Sequence, residues 1–87
     1  MRRREIETRL RVTLAEADPI GTELCFEERL DEYSLEAREI AKRIRRGKPL
    51  DKSVATVFEE TCGIALNPEK VREIVAGYET RPEGSTD

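Results

Sequence analysis

Three observations predict an all-α protein, a compact bundle of about four short helices. Apolar residues recur at three-and-four spacing in separate stretches, as in helices with one buried face. Residues that start or stop helices stand at the ends of those stretches: Asn67-Pro68 before one, Gly47 and Gly63 after two others. Finally, 87 residues with 37% hydrophobic content supply the interior of one small domain and no more. The expected organisation is a single helical domain over residues 1–78 and a flexible tail over 79–87.

The first segment admits two readings. As a helix over 5–17, Ile6, Leu10, Leu14 and Ala17 share a face and Val12 is the misfit. As a strand, residues 5–14 alternate, with Ile6, Leu10, Val12 and Leu14 on one side. The strand would need residues 22–27 as a hairpin partner, and a two-stranded hairpin is marginal unless packed. The helix is the main reading; an N-terminal β-hairpin followed by three helices is the alternative. Asp18-Pro19-Ile20-Gly21 then forms a turn, with Asp leading, Pro fixing φ and Gly closing. Residues 22–32 are an acidic connection with no assigned structure.

A helix over 34–46 carries the stripe Ala37, Ile40, Ala41 and Ile44, which Tyr33 can extend. Arg43, Arg45 and Arg46 stand at its C-terminal end, where the backbone dipole favours cations, and Gly47 closes it. The next helix, 51–62, has Asp51 or Ser53 as its cap and Val54, Val57, Phe58 and Thr61 or Cys62 as its buried side. Gly63 is placed to end it in the left-handed conformation. The last, 68–78, begins at Asn67-Pro68-Glu69 and buries Val71, Ile74, Val75 and Tyr78. The expected core is Ile6, Leu10, Leu14, Ile40, Ile44, Val54, Phe58, Val71, Ile74 and Val75.

Composition narrows the chemistry. The chain has no His, so imidazole acid–base catalysis and His-bearing metal sites are excluded. Asp18, Glu28, Asp31 and Glu32 match no calcium-loop spacing and read better as turn and cap residues. The five Gly are scattered, without a phosphate-binding loop. No cofactor, no metal and no enzyme activity is expected. Cys25 and Cys62 stand alone, which predicts two reduced, packed thiols in a cytoplasmic protein. No apolar run exceeds three residues, so no segment reads as a membrane span.

The net charge of −3 hides an uneven layout: residues 16–36 sum to −7 and residues 37–52 to +5. Such blocks neutralise one another in the fold or present opposed surfaces to partners. The expectation is a non-catalytic protein that binds another protein, an accessory or immunity-type neutraliser with an acidic face. Its candidate residues are Glu27, Glu28, Asp31 and Glu32. Tyr33 stands among them either as an interface anchor or as a cover for the start of the next helix. The alternative is a nucleic-acid-binding, helix-turn-helix-like regulator built on 51–62 and 68–78. Against it, the turn over 63–67 is about two residues too long for that motif, and Glu69, Glu73 and Glu79 oppose Lys70 and Arg72.

Asp18-Pro19-Ile20-Gly21, then Asp31-Glu32-Tyr33, Glu36-Ala37, Ile40 and Gly47, resembles the DPIG…DEY signature of a set of small bacterial helical proteins of unknown function. Gly63-Ile64 is similar to the step between their last two helices, and Ala17 stands where many of them carry an aromatic residue. The resemblance implies a helix before residue 18 and a helical fold. It implies no activity.

Overall fold

A computed structural model describes residues 3–80, with side chains from residue 5 onward. Over that span the chain forms five α-helices: α1 (Arg3–Ala17), α2 (Phe26–Glu32), α3 (Ser34–Arg45), α4 (Leu50–Val57) and α5 (Pro68–Thr80). A π turn, Phe58–Cys62, continues α4 without a break. No strand forms among the described residues. The predicted tail begins inside α5, and residues 81–87 lie outside the described residues.

The helical reading of the first segment holds, and the hairpin does not form. Ile6, Leu10 and Leu14 are buried at four-residue spacing, and Thr13 turns inward while Val12 is half-exposed. A period of 3.6 explains that pattern; a period of two does not. The buried Thr13 hydroxyl donates to the Arg9 carbonyl at 2.7 Å, so its polar atom is satisfied within the helix. With three large apolar side chains on one line, α1 is the spine of the fold and packs on α2, α3 and α5. Arg9 ties α1 to α5: its guanidinium lies 4.1 Å from the Tyr78 ring centroid and donates to the Tyr78 carbonyl at 2.6 Å. The two helices pass closely at Gly77, where a Cβ would stand 3.2 Å from the Thr13 methyl.

The core differs from the expected one at its edges. Ile6, Leu10, Leu14, Ile40, Val54, Phe58, Val71 and Ile74 are buried as predicted. Ile44 and Val75 are only half-buried, because each sits at the margin of its helix's inward face. Tyr33, fully enclosed, joins the centre instead, its ring 6.1 Å from that of Phe58 and tilted by 57°.

Three terminal devices work as the sequence implies, and one does not. Gly47 (φ 87°) and Gly63 (φ 68°) end α3 and the π turn in the left-handed region that glycine adopts at least cost. The Asn67 side chain accepts from the Glu69 amide at 2.8 Å, capping α5. For α4, however, neither Asp51 nor Ser53 is the cap: Pro49 precedes the helix and both residues lie inside it. Ser53 is buried and donates to the Pro49 carbonyl at 2.7 Å, while Asp51 accepts only from the neighbouring Lys52 amide.

Candidate functional site: an acidic helix held by a buried hydroxyl

The segment left unassigned by the sequence contains α2, a helix of seven residues with none fully buried. So short a helix is unstable in isolation, because nucleation outweighs its few hydrogen bonds. What holds it is a polar lock between its C-terminal end and the turn after α1.

Asp18 closes α1 by donating its amide to the Leu14 carbonyl at 2.8 Å, and takes a positive φ of 46°. Asp tolerates that region because its short polar side chain satisfies the local backbone. Here the carboxylate accepts from the Thr22 amide at 3.2 Å and the Thr22 hydroxyl at 3.1 Å. Gly21 (φ 72°) turns the chain between them, its amide donating to the Asp18 carbonyl. The Tyr33 hydroxyl then donates to Asp18 Oδ1 at 2.8 Å and accepts from the Ile20 amide at 3.1 Å. Arg29, from the inner side of α2, places Nη1 3.5 Å from Asp18 Oδ2.

Burial alone would raise the Asp18 pKa. The hydrogen bonds from Tyr33 and Thr22 and the charge of Arg29 outweigh it and hold the carboxyl below its ordinary value of 3.8. Burial pushes the Tyr33 phenol the other way, well above 10.0, and the neighbouring carboxylate adds to that, so it remains a donor.

Tyr33 is therefore not a surface anchor in this fold: it belongs to the core and reaches outward only through its hydroxyl. Glu27, Glu28, Asp31 and Glu32 are all exposed. Among the described residues none of their carboxylates has a cationic partner, since Arg29, the cation of α2, is turned in toward Asp18. The sequence thus located the acids; it missed that Asp18 and Tyr33, fifteen positions apart, are two ends of one hydrogen bond. A usable signal was present: Phe26, Leu30, Tyr33, Ala37 and Ile40 continue one helical spacing through the unassigned segment into α3.

The two cysteines differ. Cys25 is exposed rather than packed, and Cys62 is partly buried; both are free thiols. The Cys62 thiol donates to Glu36 Oε2 at 3.2 Å, and burial together with that carboxylate pushes its pKa up to about 11. Glu36 is itself buried. Among the described residues no three His, Cys, Asp or Glu side chains converge to hold a metal ion. Nor is any described helix long and apolar enough to cross a membrane. Comparison with protein-family models, curated proteins and solved structures finds no match for this chain.

Proposed function

We propose that the chain is a non-catalytic partner-binding protein, an accessory or immunity-type neutraliser, that offers the outer face of α2 to a basic surface on another protein. One observation carries the reading. Four exposed carboxylates crowd a helix of under two turns, and the cation within it points the other way. Like charges at that spacing repel and destabilise the helix that carries them. The buried lock holds the helix in spite of that repulsion, and a cationic partner would relieve it. The resemblance to DPIG…DEY proteins fits the same picture, because the two motif pieces supply the two halves of the lock. A reduced, cytoplasmic setting suits the free thiols.

The test is charge reversal at Glu27, Glu28 and Asp31, each to Lys. Immobilised wild-type chain should retain a protein from extract that the reversed chain releases, and the retention should fade with salt. Identical capture profiles would reject the reading.

A nucleic-acid-binding regulator is the second reading, favoured by Arg38 and Arg45, exposed on α3, and by Arg46, exposed just after it. The charge of α5, with Glu69, Glu73 and Glu79 all exposed, speaks against it. Retention of a DNA or RNA duplex in a low-salt gel shift, lost as salt rises, would establish it.

A further inference from the structure

Where α1 passes the start of α3, the facing residues of α3 are Ser34 and Ala37, both too short to fill the gap. The cavity left there measures about 280 Å³ and is bounded on the α1 side by Glu7, Thr8 and Arg11. That is just below the roughly 300–1,000 Å³ typical of ligand sites. Arg11 gives it its chemistry. Arg9, Arg11 and Arg29 each bury an Nε that meets no acceptor. Arg9 engages the Tyr78 carbonyl through another guanidinium nitrogen, and Arg29 engages Asp18 in the same way. Arg11, half-buried, makes no hydrogen bond or ion pair with any described residue. A sealed donor without an acceptor costs free energy, and so does a charge drawn partly out of water without a counter-charge. Arg38, Arg45 and Arg72, by contrast, are exposed and face water.

Glu7 stands one helical turn before Arg11 and lines the same cavity, yet the two are not paired. One charge of each sign thus borders one small space. A ligand with a single charge satisfies one of them and is repelled by the other; a ligand with both satisfies both. We infer that this cavity binds a small zwitterion of α-amino-acid size, its carboxylate on the Arg11 guanidinium and its ammonium on Glu7. The planar fork of Arg suits a carboxylate, which accepts two parallel hydrogen bonds. The Thr8 hydroxyl, three positions before Arg11 on the same face, adds a donor to the carboxylate side. Ser34 serves the ammonium. Its hydroxyl proton is committed to the Asp31 carbonyl at 2.9 Å, so toward a ligand its oxygen accepts. Ala37 presents a methyl group, and the remaining volume suits a small side chain. A phosphate gains at Arg11 and loses at Glu7. The site goes beyond the partner-binding reading and does not rest on it, since none of the four α2 acids borders this cavity.

Amide chemical shifts of the full-length chain, followed during titration with L-serine, test this. L-serine should bind with about millimolar affinity and move the amides of Thr8, Arg11, Ser34 and Ala37. N-acetyl-L-serine lacks the ammonium and L-serinamide lacks the carboxylate; each should bind at least about tenfold more weakly. Arg11→Gln should lose at least about tenfold in affinity for L-serine, and Arg11→Lys, which keeps the charge without the fork, should fall between. Glu7→Gln should weaken L-serine and strengthen acetate, a reversal that a merely disturbed fold would not give. Arg72→Gln, exposed on α5, should change nothing. Should Arg11→Gln fail to fold by circular dichroism, the analogue series on the wild-type chain and the Glu7→Gln reversal decide the matter. No movement of the four amides at about 100 mM L-serine would overturn the site. That is also the result if Glu7 swings onto Arg11 in solution and closes the cavity. Acetate or inorganic phosphate bound as tightly as L-serine, or equal binding of L-serine by a folded Arg11→Gln chain, would overturn it as well.

Discussion

Removing one oxygen, in Tyr33→Phe, tests whether α2 is held by the polar lock or by packing. The ring stays: Phe fills the same enclosed space against Phe58, so no cavity opens. What is lost is the donor to Asp18 at 2.8 Å and the acceptor for the Ile20 amide at 3.1 Å. A hydrogen bond to an ionised partner contributes about 1.5–3 kcal/mol. Ile20 is exposed at the surface, so its amide recruits water and adds about 0.5 kcal/mol at most. The expected cost is about 2–3 kcal/mol, a large share of the stability of a small domain. At 4–8 °C per kcal/mol for this chain length, the melting temperature should fall by about 10–20 °C.

The cost should depend on pH in a fixed direction. Asp18 titrates lower in the folded chain than its ordinary 3.8. The stability it contributes is full above the unfolded-state pKa and is lost as pH falls through the folded one. Below that point Tyr33 faces a neutral carboxyl, and the cost of Tyr33→Phe should shrink to about 1 kcal/mol, the worth of a neutral hydrogen bond. Urea unfolding of both chains at pH 7 and at a pH below the folded Asp18 titration, with m-values compared, measures it. A cost under about 0.5 kcal/mol at pH 7, or one equal at both pH values, would refute the lock.

Two further outcomes follow from the geometry. Gly63→Ala should destabilise the fold by about 1 kcal/mol in the same unfolding assay, from its φ of 68° alone, since a Cβ there meets nothing within 4 Å. In thiol labelling at pH 8, the exposed Cys25 should react first. A pKa of about 11 against the ordinary 9.0 leaves Cys62 with about a hundredfold less thiolate, and Glu36→Gln should narrow the gap.

The helices, their faces and most of their ends were legible because each is a local property. Ile6, Leu10 and Leu14, or Val71 and Ile74, reveal a buried stripe by spacing alone, and Gly47, Gly63 and Asn67 reveal ends by backbone preference. Ile44 and Val75 were misjudged because periodicity names an inward face without saying how far its margin is covered. The α4 cap was misjudged because Asp51 and Ser53 are plausible at several positions, and Pro49 leaves the helix start one residue earlier.

The acids of α2 were visible as charge, and their exposure follows from it. That they sit on a helix was not declared locally, because the segment has only Phe26 and Leu30 as apolar residues and Cys25 ahead of it makes no side-chain cap. Local sequence thus determined which stretches coil, which side of each is apolar and where charge accumulates. Only the assembled fold decided that the Tyr33 hydroxyl meets Asp18. That contact joins residues fifteen positions apart, and it exists only once α1 and α3 have packed and removed water from between them.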